Sequence, residues 1–186
     1  MSKPFDPAAL AQAIRQNRGP APVHLWNPPF CGEIDMRIGS DGTWYYQDSP
    51  IQRPAMVKLF SSVLRLDEDQ HYYLVTPAEK VRIRVDDFPL AAQLLEAEGR
   101  AEQQKLTFIT NTDERIVADK EHPIIVDEDG DGNPHPHLLC RTNLHALIAR
   151  NVFYQLAELA EPGPWEGQEV MGVWSGGIFF RLGTQI

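Results

Sequence analysis

The sequence is poor in cysteine, in long apolar runs and in positive charge. Cys31 and Cys140 are the only cysteines among 186 residues, which favours a reducing compartment. No apolar run exceeds four residues, so no segment predicts a helix that spans a membrane. The stretch of residues 1–17 lacks the continuous apolar core of a secretory signal. These absences predict a cytoplasmic protein without membrane insertion.

Positive charge is scarce overall and unevenly placed. The 17 Lys and Arg are outnumbered by 26 Asp and Glu, so the net charge is −9 and the isoelectric point is near 5.1. This balance argues against unaided binding to a nucleic-acid backbone. Residues 1–90 carry a balance of −1, and residues 91–186 carry a balance of −8. We therefore expect an anionic ligand to be attracted to the first half or to the seam between the halves.

Apolar periodicity predicts two similar series of elements after a short leading helix. Apolar residues make up 42% of the chain, which is enough to bury a core. The predicted elements, in order, are a helix over Pro7–Gln16 capped by Asp6, strands Ile34–Ile38 and Thr43–Tyr46, a helix from Pro54, strands Tyr72–Thr76 and Val81–Val85, strands Leu106–Thr110 and Arg115–Ala118, a helix over Leu144–Leu159 stopped by Pro162, and strands Glu169–Trp174 and Ile178–Leu182.

The order strand, strand, helix, strand, strand thus occurs twice. The apolar phase of Val81–Val85 matches that of Ile178–Leu182 if the second turn is one residue shorter. Chance is the alternative, since this order is common in α+β domains. The pattern predicts an internally duplicated α+β fold, with two β-rich halves over 1–90 and 91–186, each sheet covered by its helix.

The segment Pro89–Gln104 is ambiguous. Its Leu, Ala, Gln and Glu residues favour a helix by propensity. Gly99 in its middle would equally suit the turn of a hairpin. Propensity leans towards the helix.

Four strings resemble a known family, the bacterial domain of unknown function 1285 family. They are Ser49-Pro50-Ile51-x-Arg53, residues 59–65 (Leu-Phe-Ser-Ser-Val-Leu-Arg), residues 72–80 (Tyr-Tyr-Leu-Val-Thr-Pro-x-Glu-Lys) and Val152-Phe153-Tyr154. The third string is the most specific, and the resemblance runs from about His24 to Leu182.

The resemblance implies a duplicated α+β core whose second half is superficially similar to pleckstrin-homology folds. It also implies a nucleotide-like ligand at the seam between the halves and a role in signal transduction, with no established activity. It favours a strand hairpin over Pro89–Gln104, against propensity.

Three cations alternate along one predicted strand. Lys80, Arg82 and Arg84 would share one face of Val81–Val85, where they could hold phosphate or carboxylate. The plainer alternative is a solvated, charged sheet face.

Aromatic residues offer a candidate surface for a base. Trp44 and Tyr46 share a strand face and could stack on a nucleotide base. The alternative is that these side chains belong to the core.

Metal ligands and catalytic motifs are poorly represented. Asp127-x-Asp129-x-Asp131-Gly132 starts like a calcium loop, but the position that should carry Glu is Leu138, so a hairpin turn is the plainer interpretation. His135 and His137 share a strand face, with Cys140 on the opposite one, yet no second ligand cluster exists. We therefore predict no metal and no cofactor.

The chain contains no nucleophile, phosphate-loop or dinucleotide motif. Glu33 and Asp35 are the best acidic pair, in which repulsion of like charges would raise one pKa. An unrecognised hydrolase that uses Glu33, Asp35 or a histidine is therefore the lowest-ranked of three functional hypotheses.

The leading hypothesis is a non-catalytic cytoplasmic module that binds a small anionic, nucleotide-like ligand between its halves. A protein-interaction module that uses a sheet edge or an apolar patch is the alternative. The predicted ligand-binding residues are Trp44, Tyr46, Arg53, Lys80, Arg82, Arg84, Arg141 and Arg150.

Overall fold

The computed structural model describes residues 6–15 and 21–183, which form two compact units. The first unit contains the described residues as far as Gly39 and Thr43–Asp86. The second contains Ser40–Gly42 and the described residues from Asp87 onward. Apart from Ser40–Gly42, the units therefore divide between Asp86 and Asp87 in the chain.

Three α-helices occur in the described residues. α1 (Pro7–Arg15) begins where predicted, and the Asp6 carboxylate accepts a hydrogen bond from the Ala8 N–H at 2.9 Å. The predicted last residue of this helix, Gln16, lies outside the described residues. The other helices are α2 (Pro54–Ser61) and α3 (Arg150–Glu158). No helix in this part of the chain is long and apolar enough to cross a membrane.

The first unit is built on one six-stranded sheet. Its strands are β1 (Phe30–Ile38), β2 (Trp44–Tyr46), β3 (Ser49–Pro50), β4 (Leu64–Leu66), β5 (Tyr72–Val75) and β6 (Lys80–Val85). Their order across the sheet is β3-β2-β1-β6-β5-β4. Two antiparallel three-strand meanders are thus joined at the centre by the parallel pair of β1 and β6.

The second unit repeats this topology strand for strand. Its main sheet contains β7 (Leu90–Glu98), β8 (Lys105–Thr110), β9 (Arg115–Val117), β10 (Ile124–Glu128), β11 (Pro134–Arg141) and β12 (Leu144–Ile148). The order β10-β11-β12-β7-β8-β9 again joins two meanders through a parallel pair, here β12 and β7. The two β-rich halves are therefore similar, as predicted.

The repeat is not the one that the apolar pattern suggested. Topology matches β6 with β12, whereas the sequence interpretation matched Val81–Val85 with Ile178–Leu182. The helices also differ in position, because α2 lies between the two meanders of its unit and α3 follows the last strand of its sheet. A period of two shows that a strand has a buried face, but it does not identify the strand's partner.

The predicted helix over Leu144–Leu159 is a strand followed by a shorter helix. Leu144, Ala146 and Ile148 alternate with less buried residues and lie in the core, which is strand periodicity. Ala149 has φ −58° and ψ 149°, and α3 begins after it. Leu and Ile at these spacings satisfy both periods, so the pattern alone could not separate the two elements.

The segment Pro89–Gln104 forms β7 and a short 3₁₀ helix, Ala101–Gln103. The helix favoured by propensity is therefore wrong, and the strand implied by the family resemblance is correct. Leu90 and Ala92 are fully buried, and β7 pairs on both sides, with β12 and β8. Central sheet packing outweighs helix propensity here, because propensity differences are small.

A third, three-stranded sheet completes the second unit. It consists of β13 (Glu161–Trp165), β14 (Gln168–Ser175) and β15 (Ile178–Arg181). The prolines that were expected only to stop a helix lie in β13, which is an edge strand and tolerates proline. Residues of β14 and β15 share one apolar core with the main sheet and α3.

Candidate ligand-binding site

The predicted cationic row exists on β6. Lys80, Arg82 and Arg84 project from the face opposite to the buried Val81 and Ile83. Each of the three cations has a carboxylate partner in the same unit. The pairs are Lys80 Nζ with Asp67 Oδ2 at 2.9 Å, Arg82 Nε with Glu33 Oε2 at 3.0 Å, and Arg84 Nη2 with Asp35 Oδ1 at 3.4 Å.

This face is therefore charge-compensated. Arg37 adds a further ion pair, with Asp86, and its guanidinium lies 4.4 Å from the ring centroid of Tyr45. A phosphate that bound the β6 cations would have to displace their carboxylates. The arrangement matches the alternative interpretation of this strand, a solvated sheet face whose charges form ion pairs.

Repulsion between Glu33 and Asp35 does not raise the pKa of Glu33, contrary to the expectation for an acidic pair. The hydrogen bond and positive charge of Arg82 lower the pKa of Glu33, whereas like-charge repulsion was expected to raise one of the two. The parallel pairing of β1 with β6 places an arginine beside each acid. Glu33 is therefore not poised as a general acid or base.

Tyr73, on β5, is the group on this face whose titration is most clearly displaced. Its hydroxyl donates to Asp69 Oδ2 at 2.7 Å, and Lys80 Nζ lies 4.4 Å from the centroid of its ring. The hydrogen bond to Asp69, assisted by burial, raises the pKa of Tyr73 to about 12. Ionisation of this phenol would bring a second negative charge against the carboxylate.

We expect one of the five tyrosines to ionise late in an alkaline titration followed by near-ultraviolet absorbance. Tyr73→Phe should remove that late transition, and Tyr45→Phe should leave it in place. Because the folded pKa is raised above 10, the linked stability is fully present below pH 10 and is lost as pH rises to about 12. A late transition that survives Tyr73→Phe would contradict this assignment.

The two aromatic residues predicted to hold a base differ in exposure. Trp44 is 1% exposed and stacks on Phe60 with ring centroids 6.1 Å apart, so it belongs to the core. The prediction that Trp44 contacts a ligand is therefore wrong, since no face of its ring is free. Tyr46 lies on the same side of the sheet and is half-buried.

The remaining predicted cations are placed differently from one another. Arg53 is exposed and occupies the N-cap position of α2. Arg141 is half-buried and pairs with Glu114 Oε1 at 3.4 Å. Arg150 is exposed and is the first residue of α3. Within residues 6–15 and 21–183, no carboxylate forms an ion pair with Arg150.

The start of α3 is uncapped. Ala149 occupies the N-cap position, and its methyl side chain cannot accept a hydrogen bond from the first turn. The N–H groups of Arg150 and Asn151 therefore lack intrahelical partners and carry the positive end of the helix dipole. This end of the helix attracts an anion, and the Arg150 side chain adds a full charge.

A cavity of about 480 Å³ opens beside this helix start. The turn between β10 and β11, the end of β12 and the first turns of α3 form its walls. The lining residues are Asp129, Asn133, Pro134, His135, Pro136, Leu147, Ile148, Arg150, Phe153 and Tyr154. Its volume is within the usual range for small-molecule sites, roughly 300–1,000 Å³.

Arg150 and Leu147 also line a neighbouring cavity of about 560 Å³, together with Ala91, Gln93 and Asn151. The arginine is thus shared by two cavities of one unit. Tyr154 is 59% exposed, and Phe153 packs against the edge of the core, so the first cavity combines a cation with aromatic surface. This combination suits a ligand with an anionic group and a planar ring.

The calcium-like segment is a turn, as the plainer interpretation predicted. The Asp129 carboxylate accepts hydrogen bonds from the N–H groups of Asn133 and Asp131, at 2.8 Å and 2.9 Å. Chiefly through Asn133, these bonds hold the pKa of Asp129 below its usual range. In the described ranges, no group of three or more His, Cys, Asp or Glu residues is arranged to hold a metal ion.

The sequence analysis selected Arg150 as a candidate but did not connect it with the other residues of this cavity. His135 was noted only as a candidate metal ligand, and Phe153 and Tyr154 only as part of a family string. Leu147 was assigned to a helix. A predicted strand over Leu144–Ile148 would have indicated these residues as neighbours, because that strand ends two residues before the first residue of α3.

Comparison with known proteins gives a consistent result. The family model described as "Domain of unknown function (DUF1285), N-terminal domain" matches residues 21–88. The one described as "Protein of unknown function (DUF1285), C-terminal domain" matches residues 89–182. No curated protein matches the sequence.

Two crystal structures are similar to this chain. A DUF1285 family protein from Silicibacter pomeroyi DSS-3 is 50% identical, with a TM-score of 0.88 over 98% of this chain and 97% of that chain. A DUF1285 family protein from Shewanella baltica OS155 is 25% identical, with a TM-score of 0.50 over 67% of this chain and 91% of that chain. The resemblance noted in the sequence is thereby confirmed, and the chain belongs to the DUF1285 family.

Proposed function

We propose that the protein is a non-catalytic module that binds a small anionic, nucleotide-like ligand in the cavity beside α3. The observation that carries this proposal is Arg150, an exposed guanidinium without an ion pair in the described part of the chain, at an uncapped helix start that lines two cavities. A role in signal transduction and a likeness of the second unit to pleckstrin-homology folds remain predictions.

The chemistry of the cavity supports two kinds of contact. Arg150 and the first N–H groups of α3 suit a phosphate or carboxylate, because both present donors to an anion. Phe153 and Tyr154 offer ring surface for a planar group, a contact worth roughly 1–3 kcal/mol for a base. The β6 cations are less suited to the anion, since each already has a carboxylate.

A screen of nucleotides by thermal denaturation tests the proposal. A ligand present at about 100 times its dissociation constant should stabilise the protein by about 2.7 kcal/mol. No shift with any nucleotide or simple organic phosphate at millimolar levels would count against it.

Arg150→Ala should weaken the binding of any ligand found by this screen at least tenfold. Loss of a hydrogen bond to a charged group costs roughly 1.5–3 kcal/mol. Arg82→Ala is the matched control, because it removes a half-buried arginine that pairs with Glu33. It should leave affinity unchanged in isothermal titration calorimetry. A larger loss of affinity in Arg82→Ala than in Arg150→Ala would indicate that the ligand binds at β6 instead.

A further inference from the structure

Three histidines surround one phenylalanine on the face of the second sheet that is opposite to its core. His135 and His137 lie on β11 and His145 on β12, and together they form the histidine cluster. Phe88 contacts all three rings, with centroid distances of 5.2, 4.6 and 5.9 Å respectively. The cluster is thus a packed group and not three separate surface residues.

Hydrogen bonds order two of these rings into a chain. The His137 Nε2 atom lies 3.0 Å from Asp127 Oδ2, and the His137 Nδ1 atom lies 2.9 Å from His145 Nδ1. An ionised Asp127 only accepts, so His137 Nε2 carries a hydrogen. In the neutral pair His137 Nδ1 is then the acceptor, and His145 donates its Nδ1–H. His145 Nε2 is then the ring nitrogen that carries no hydrogen.

This assignment predicts how the pair takes up protons. One proton can add at His145 Nε2 without breaking a hydrogen bond, because His145 still donates through Nδ1. A second proton, on His137 Nδ1, would place two N–H donors 2.9 Å apart and would break the contact. The chain Asp127–His137–His145 therefore accepts one proton as a unit.

The charged groups around the pair come from three segments. Asp127 lies on β10, His135 lies on β11 beside His137, and Asp87, which precedes β7, bonds to His135 Nε2 at 2.8 Å. The side chain of His137 is 7% exposed. Burial lowers the pKa of His145, a protonated His137 would lower it further, and the charge of Asp127 partly offsets this.

The cluster adjoins the cavity beside α3. His135 belongs both to the cluster and to the cavity wall. Leu147, another wall residue, pairs with His137 across the two strands. A charge gained by the pair is therefore added near the site where Arg150 would hold an anion.

We propose that the histidine cluster regulates the anion site by proton linkage, so that protonation of the Asp127–His137–His145 chain strengthens anion binding and anion binding promotes that protonation. The inference rests on the proposed function. Reciprocity follows because both effects are one coupling free energy. The added unit charge should strengthen anion binding severalfold, because charges near a protein surface interact with an effective dielectric constant of about 20.

Sulfate is the probe, because its charge stays constant over the range in which histidine titrates, about pH 5 to 8. Its dissociation constant is measured by calorimetry at several pH values for the wild type, His145→Gln, His135→Gln and His71→Gln. His71 is the matched control, since it contacts Asp69 in the other unit. We expect acid to tighten binding to the wild type and to His71→Gln, and we expect His145→Gln to lose this gain.

A second readout uses the unmodified protein. Saturating sulfate should shift the NMR titration of the His145 ring towards higher pH. A sulfate dissociation constant that does not change with pH would overturn the inference and leave the proposed function standing. A pH dependence of this constant that is lost only in His135→Gln would do the same. If neither sulfate nor any nucleotide binds while His145 titrates normally, the proposed function itself fails, and the inference fails with it.

Discussion

Trp44→Ala is expected to lower the free energy of unfolding of the first unit by about 3–5 kcal/mol. The indole is 1% exposed, lies on β2 and stacks on Phe60, so truncation leaves a cavity in the core. Chemical denaturation followed by fluorescence measures the change, and hydrogen exchange should locate it in the first sheet.

Two further variants make this result specific. Tyr45→Ala removes a half-exposed ring from the opposite face of the same strand and should cost about 1 kcal/mol or less. Trp44→Phe keeps an aromatic ring and removes an indole N–H that has no hydrogen-bond partner among the described residues, so it should cost less than the alanine change. A Trp44→Ala variant as stable as Tyr45→Ala would show that Trp44 is not a core residue.

Gly172→Ala is expected to lower the free energy of unfolding of the second unit by about 2–3 kcal/mol. A Cβ at this position of β14 would lie 2.3 Å from the Phe180 carbonyl oxygen and 2.6 Å from Phe179 Cζ. The carbonyl belongs to the adjacent strand β15, so relief requires the strands to move apart. Thermal or chemical denaturation, read against the wild type, measures the loss.

Gly130→Ala is the matched control for the glycine change. A Cβ there would meet nothing within 4 Å, and the residue lies in the exposed turn after β10. The substitution should change stability by no more than about 0.5 kcal/mol. Equal losses at the two glycines would contradict this explanation, because only a Cβ at position 172 would meet the neighbouring strand.

Much of the local structure follows from residue order. Alternation of Ile34, Met36 and Ile38 with charged residues predicted β1, and Asp6 followed by Pro7 predicted the start of α1. These signals are local, because each depends on spacing within one element. The apolar residues of Leu144–Leu159 fit two periods at once, and the boundary at Ala149 appears only once β12 is paired.

In the candidate site, too, local spacing predicted some features and strand pairing decided the others. The sequence placed Lys80, Arg82 and Arg84 on one face, and this is correct. It did not show that Glu33 and Asp35 lie opposite two of these cations, 49 residues away along the chain. It also did not show that Arg150 has no carboxylate partner among the described residues, since pairing depends on which strands are neighbours.

By itself, the sequence determined that the chain is β-rich and duplicated, and that it belongs to a recognisable family. It also determined which face of each strand is apolar, since side chains alternate along an extended backbone. Only the tertiary structure decided that β6 corresponds to β12 and that the β6 cations are neutralised. It also decided that a cavity beside α3 is lined by Arg150, which has no carboxylate partner among the described residues. The physical reason is that strand pairing is non-local, so distant segments set the charge and the space around each side chain.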